Sequence, residues 1–422
     1  MSHRATVQIA DLTAPVLDAK QRSILDYAAT LDVDLDPDVL IARAAEMSGL
    51  RDPDFEGGDP SFGARLSAYV GSVDADTGLT GLGRMIQRTR VTRLLTSRAL
   101  LNDLLARHPE ISDIEIPKPL IVVGLPRSGT THLVNMLAAD PRRRALPYWE
   151  SQEPFPRRGE GPGPDGLDPR YLRLRAEHEA ERDLVPLAQS MHDRFPEAIE
   201  EECEVMDLDF CSYTLEWHAR VPGWRDYYLD LDQQRHYAYL KKVLQALTFL
   251  RGPSTWVLKC PQHLENLGPL MQTFPDATVA FTHRDPVAVI QSAITMLAYG
   301  DRMRRASIAP EELRDYWIDR VERLLLTAVR DRELVPADQS IDVPFHEFMA
   351  DDLAVVDRLY AVAGVPLPDR IRNRVVSYLR DNPRGKHGQV RYDLEGDFGV
   401  SPAEVRQRFD FYLDRFPVRP ES

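Results

Sequence analysis

The chain has only three cysteines in 422 residues, Cys203, Cys211 and Cys260, and none form a CxxC pair. That excludes a disulfide-stapled scaffold and suits a reducing compartment. No uncharged run reaches the ~18 residues a membrane span needs, so no integral membrane segment is expected. The opening MSHRATVQIADLTAPVLDAK lacks the apolar stretch of a secretory signal, and the expected location is cytoplasmic. Positive charge is in deficit, 52 basic against 66 acidic residues for a net −14. A field of that sign disfavours nucleic acid as a partner, so an anionic ligand requires a local positive pocket. Lysine is scarce, with six among the 52 basic residues, which makes a well-placed lysine informative. What remains is 43% apolar, 28% charged and 8% aromatic, a soluble globular profile with a sizeable core. The length fits two to three domains.

Residues 1–115 read as helices, with apolar residues three and four apart in Ile24–Leu31, Val39–Met47 and Leu82–Leu105. They carry no ionisable cluster of evident purpose and read as a helical cap or an oligomer surface. The period changes at Pro117. Pro119–Gly124 is a short continuous apolar run, the pattern of a buried parallel strand. Further strands are expected at Thr255–Leu258, Ala277–Thr282 and Gln339–Val343. Helices are expected at Thr130–Ala139, 170–182, 197–212, 233–251, Gln262–Thr273, Pro286–Leu297, 310–334, 351–363 and 369–381. Residues 156–169, rich in Pro and Gly, read as a loop. Alternating strands and helices imply βαβ units and a mostly parallel sheet.

Gly124-Leu-Pro-Arg-Ser-Gly-Thr-Thr131 leaves the first strand and opens a helix. Its GxxxxG frame is that of a phosphate-cradling loop, in which inward N–H groups and a helix N-terminus meet an anion. It lacks the lysine of GxxxxGK[ST], and Thr130 stands there instead, with Arg127 inside the loop. No strong strand ending in a Walker-B Asp is present. A kinase or NTPase built this way loses its main charge on the transferring phosphoryl group. The loop therefore suits an anion of different charge layout, with no obligatory metal.

Two strand ends add charge at the edge where open α/β sheets bind ligands. Lys259 ends the strand of Trp256-Val-Leu-Lys-Cys-Pro-Gln-His-Leu264. Arg284 ends that of Phe274-Pro-Asp-Ala-Thr-Val-Ala-Phe-Thr-His-Arg-Asp-Pro286, with Ser292 about two helical turns on. A guanidinium fork and a hydroxyl together suit one phosphate. Asp285 is a rival partner for Arg284.

On these residues the chain resembles the PAPS-dependent sulfotransferases, in the bacterial branch that shares a PRSGTT loop with tyrosylprotein sulfotransferases. The likeness covers roughly 118–415. It implies a P-loop-type α/β three-layer sandwich around a mostly parallel sheet at 116–422, beside the N-terminal helical region at 1–115. It implies transfer of a sulfuryl group from PAPS (3′-phosphoadenosine 5′-phosphosulfate) to a hydroxyl of a small molecule, lipid or saccharide, releasing PAP and using no metal. Arg127, Ser128, Gly129, Thr130 and Thr131 are implied to hold the 5′-phosphosulfate, and Arg284 with Ser292 the 3′-phosphate. The segment Asn382-Pro-Arg-Gly-Lys-His-Gly388, with Tyr392, resembles the family's nucleotide loop, so Arg384 and Lys386 are expected to reinforce that grip.

Lys259 and Arg127 are the expected neutralisers of the leaving phosphate, by analogy with phosphoryl transfer. The acceptor hydroxyl requires a base. Glu150, in Pro147-Tyr-Trp-Glu150, lies near where tyrosylprotein sulfotransferases carry their catalytic Glu. His192, His218 and Glu201 are alternatives. The acidic run Glu197–Glu204 reads as a solvated helix face. Tyr213, Trp217, Trp224, Tyr227 and Tyr228 either line an acceptor pocket or pack a core. Two rivals remain: a P-loop kinase or NTPase, and a nucleotide-binding protein without turnover.

Overall fold

A computed structural model describes residues 6–192, 194–384, 386 and 388–421. Seven short strands occur among them: β1 (Thr6–Val7), β2 (Leu120–Gly124), β3 (Arg143–Arg144), β4 (Thr255–Lys259), β5 (Thr278–His283), β6 (Ser340–Pro344) and β7 (Gln389–Val390). Five form one sheet in the order β3-β4-β2-β5-β6, every pair parallel. The order reverses around β2, which places a ligand crevice beyond its carboxyl end, between the ends of β4 and β5. β1 and β7 pair separately, also in parallel.

β2 is buried on both faces, and its side chains alternate between two cores. Leu120 and Val122 join Val257, Ala280 and Val343 under the helices Thr130–Ala138 and Asp352–Val362. Ile121 and Val123 join Leu258, Val279 and Phe281 on the other face, packed by the helices Gln234–Arg251, Pro286–Arg304 and Pro310–Asp331. The result is the expected three-layer α/β sandwich. The second core runs on without a break into the N-terminal helices, through residues such as Leu40, Leu66, Tyr69 and Leu95. The change of period near residue 116 therefore marks a change of architecture within one continuous core.

The N-terminal helices are Ala19–Ala29, Pro37–Ser48, Phe62–Asp74 and Gly81–Arg107, the third of them absent from the sequence expectation. Two expected helices are broken. Residues 197–212 hold only the turn Cys203–Met206 and the 3-10 turn Asp207–Asp209, ended by Phe210 at φ 48°. The segment 262–273 splits into a 3-10 turn, Pro261–Glu265, and the helix Leu267–Thr273. In both, side chains bond inward to buried partners at the sheet's carboxyl edge. The helix at 286 runs longer than expected, to Arg304.

Candidate active site

The loop after β2 is pinned from below. Ser128 Oγ donates to Leu125 O at 2.6 Å and meets Thr282 Oγ1 of β5 at 2.6 Å. Gly124 has no room for a side chain, because a Cβ there would stand 1.9 Å from Thr282 Oγ1. Gly129 takes φ 92° and caps the helix Thr130–Ala138 with no side-chain bond to its first N–H groups. Those donors point into the crevice, at the positive end of the helix. Thr130 is buried at the first helical position. Ser128 is thus a structural tie, and Gly129 the hinge of the cradle.

At one side of the loop Arg127, itself at φ 67°, donates from Nε to Ser292 Oγ at 2.9 Å. Arg284 Nη1 donates to Arg127 O at 2.6 Å, and its guanidinium stacks 4.1 Å from the Phe345 ring. The structure therefore brings Arg127, Arg284 and Ser292 together. Asp285 is not the partner of Arg284. It caps the helix Pro286–Arg304 through Val287 N and binds Arg406. Arg284 pairs instead with Glu421.

Arg384 pairs with Asp352 and donates to Phe348 O at 3.1 Å. Lys386 is exposed and reaches Asn382 Oδ1 at 3.3 Å. Neither has a bond to Arg284 or Ser292 among the described residues. Arg384 comes near the loop through Phe348, whose ring packs on Gly129, and through Asp352, which also pairs with His132 at 3.3 Å. Gly385 and His387 of that segment lie outside the described residues.

On the other side of the loop Lys259 is fully buried at the end of β4. Its Nζ forms an ion pair with Glu201 and lies 3.5 Å from Thr131 Oγ1. Burial works against charge on this amine, but Glu201 and Glu200 outweigh it and hold its pKa above the ordinary lysine value. β4 and β5 flank β2 about 10 Å apart, and the register sets Lys259 level with Ala280, four residues before Arg284.

The acidic run contradicts the solvated-face reading. Glu200, Glu202 and Glu204 are buried, and each has a specific partner. Glu202 Oε2 accepts the Lys259 backbone N–H at 2.6 Å, and Oε1 meets His263 Nε2 at 2.7 Å. Glu204 accepts from Gln152 Nε2 at 2.9 Å and pairs with Arg90. Glu200 pairs with His192 at 3.2 Å. Burial works to raise its pKa, yet His192 and Lys259 hold it below the usual carboxylate value. Glu202 is a site residue that sequence reasoning missed. Its signal was a run of five acidic residues within eight positions, more than the nearby His192 and Arg194 can pair.

Glu150 does not reach this cluster. Its carboxylate is buried between Arg144 Nη2 and Arg251 Nε, each at 2.9 Å, and it shares no partner with Lys259. The pair ties the end of β3 to the helix Gln234–Arg251. His218 is half-buried 3.9 Å from Glu204 on the wall of the cavity that Trp217 lines, and desolvation followed by the charge of Arg90 pushes its pKa down to about 3. Glu201 remains partly exposed beside Lys259. Glu201, Cys203 and Cys260 form a group of metal-ligand type within 4.8 Å. Glu201 also faces Lys259, and burial raises both thiols, Cys260 to about 11.

The aromatic segment divides between two roles. Trp224 stacks on Tyr228 and meets Tyr69 edge-on, all in the core. Trp217 instead lines a cavity of about 210 Å³ with Trp317, Tyr316, Leu297, Leu79 and Gln87. Tyr213 joins this cavity to the site. Its ring meets Trp317 edge-on, and its N–H donates to Gln262 Oε1, three residues past Lys259.

A sulfotransferase-family profile matches residues 119–369. No curated protein matches the chain. The sulfotransferase STF9 from Mycobacterium avium is 26% identical at a TM-score of 0.81, over 93% of this chain and 99% of that one. The sulfotransferase STF1 from Mycobacterium tuberculosis H37Rv is 26% identical at a TM-score of 0.76, over 90% and 99%. No helix among the described residues is long and apolar enough to cross a membrane.

Proposed function

The chain belongs to the sulfotransferase family, and from that premise we propose that it moves a sulfuryl group from PAPS to a hydroxyl acceptor, releasing PAP. One observation carries the reading: a buried lysine at the end of β4 and Arg284 just past β5 flank a lysine-free phosphate loop, whose Arg127 bonds to Ser292. In this reading Arg284 and Ser292 hold the 3′-phosphate. The N–H groups of Gly129–Thr131, with Arg127 and Lys259, hold the 5′-phosphosulfate.

The acceptor oxygen attacks sulfur as the bond from sulfur to the 5′-phosphate oxygen breaks. The hydroxyl proton passes to a carboxylate, and charge gathers on the leaving phosphate, where Lys259 and Arg127 meet it. We assign the base to Glu201. It is the carboxylate that is both partly exposed and in contact with Lys259, whereas Glu150 is locked between two arginines. Glu202 positions Lys259 through its backbone N–H. The 210 Å³ cavity, with aromatic side chains beside charged ones such as Arg220, Asp301 and Arg305, suits an acceptor with a carbon body and polar groups and gives the N-terminal helices a part in its wall. The three free, buried cysteines suit a cytoplasmic setting.

The test is a titration of PAP against ATP with magnesium, followed by turnover of radiolabelled PAPS with phenolic and saccharide acceptors. PAP is expected to bind more tightly, with label transferred to an acceptor. Preference for magnesium ATP would favour a kinase. Tight PAP binding with no transfer to any acceptor would favour a nucleotide-binding protein.

A further inference from the structure

A second cavity, of about 240 Å³, lies where the N-terminal helices meet the α/β unit, apart from the site above. Its walls come from the helices Pro37–Ser48, Gly81–Arg107 and Pro169–Leu184 and from residues 153–157. Five arginines line it (Arg43, Arg88, Arg93, Arg157 and Arg173) against two carboxylates, Glu153 and Glu177. Both carboxylates are already paired. Arg173 Nη2 stands 2.5 Å from Glu153 Oε2, and Arg93 Nη2 stands 2.5 Å from Glu177 Oε1. Arg43 and Arg88 make neither a hydrogen bond nor an ion pair among the described residues. The cavity thus holds a surplus of positive charge in a chain of net −14.

A second, independent observation comes from the floor. Thr92 stands one turn from Arg88 on the same helix face. It is 3% exposed, and its hydroxyl is buried with no partner. Its neighbours are satisfied: Thr89 Oγ1 donates to Met85 O at 2.9 Å, and Thr96 Oγ1 to Thr92 O at 2.7 Å. Buried polar atoms in native proteins find partners, so an orphan hydroxyl in a cavity marks the place of a missing one. Two unpaired guanidiniums and a free hydroxyl offer donors and positive charge, which selects an oxyanion. Met47, Leu100 and Phe155 add an apolar wall beside them.

We propose that this cavity binds a small phosphate or sulfate monoester. Arg88, Arg43 and Thr92 grip the oxyanion, and the carbon body lies against Met47, Leu100 and Phe155. The site is separate from the one at Arg284 and does not depend on the chain's being an active transferase.

Calorimetric titration of the full chain with phenyl phosphate, phenyl sulfate and phenol tests this. At least one ester is expected to bind saturably at millimolar concentration or below, and phenol is expected to show no saturable binding. Arg88→Ala and Thr92→Val should each weaken ester binding at least tenfold, and Arg284→Ala should leave it unchanged. Arg43→Ala, on an exposed helix position, serves if the half-buried Arg88 variant or the buried Thr92 variant melts early, and the same loss is expected. The proposal is overturned if neither ester binds, if phenol binds as well, or if Arg284→Ala alone abolishes binding.

Discussion

Arg284 and Glu421 form a two-pronged ion pair, Nε to Oε1 and Nη2 to Oε2, both at 2.7 Å. The glutamate is held in place. Its N–H donates to Asp285 Oδ2 at 2.8 Å, and its carbonyl accepts from Arg406 Nη2 at 3.0 Å. A carboxylate therefore sits on the guanidinium assigned to the 3′-phosphate, and that phosphate must displace it. Both partners are partly exposed, so the pair is worth about 1 kcal/mol or less. Glu421→Gln is expected to tighten PAP binding roughly two- to fivefold. Arg284→Ala should weaken it by about 2–5 kcal/mol, since it strips one partner from a charged hydrogen-bonded pair. Calorimetry with PAP checks both. An unchanged constant in Arg284→Ala removes the residue from the 3′-phosphate site.

Lys259 and Glu201 are expected to fail in turnover rather than in folding. Lys259→Ala should lower kcat roughly 10²- to 10³-fold, as loss of an electrostatic stabiliser does. Glu201→Gln should lower it about 10²- to 10⁴-fold, as loss of a general base does. PAP affinity in Glu201→Gln should stay near that of the parent chain. Steady-state rates with labelled donor settle the matter, and retained turnover in Glu201→Gln moves the base elsewhere.

Glu150 should show the opposite pattern. Glu150→Gln removes the charge that satisfies Arg144 and Arg251, and Arg144 is itself mostly buried. A cost of roughly 1–3 kcal/mol in stability is expected, with turnover within a few-fold of the parent. Denaturant unfolding and kcat measured on the same sample distinguish the two. A stable but inactive variant would return Glu150 to the chemistry.

The sheet was legible because its signals are local. β2 reads as Leu-Ile-Val-Val between Pro119 and Gly124, and its loop, helix and Lys259 follow in sequence order. The pairing of Arg284 with Ser292 followed from the same strand-end logic, whereas Arg127, expected at the 5′-phosphosulfate, turns out to contact both. The place of Glu150 did not, because distance along the chain is a poor guide to distance across a crossover. Glu150 follows the loop closely in sequence, yet β3 carries it to the sheet edge, outside β4. Glu201 comes 70 residues after Thr131 and returns to it through Lys259. The acidic run looked solvated because its partners are remote. Arg90 and Gln152 meet Glu204, and His263 meets Glu202, from three different segments. Broken helices at 197–212 follow from the same fact, since side chains held inward on successive residues are incompatible with one helical face.

His218 carries a pH dependence whose sign can be worked out. Burial first, and then the charge of Arg90, lowers its folded pKa to about 3, against 6.5 for an ordinary histidine. Glu204 opposes the shift from 3.9 Å but does not overcome it. Between pH 6.5 and about 3 the unfolded chain holds a proton on this ring that the folded chain does not. Stability must therefore fall as pH drops through that window, by up to about 1.4 kcal/mol per pH unit from this residue. His218→Asn removes the titrating ring and keeps the backbone carbonyl that accepts from Gln87. The urea midpoint of the parent chain is expected to fall more steeply from pH 6 to pH 4 than that of the variant. Asp207 and Glu216, whose carboxyls burial holds above the usual range, titrate in both chains, so the difference between the two curves is the quantity to read. Parallel curves above pH 5 would mean that His218 takes up its proton equally in both states, and that the ring is less isolated from water than its burial implies.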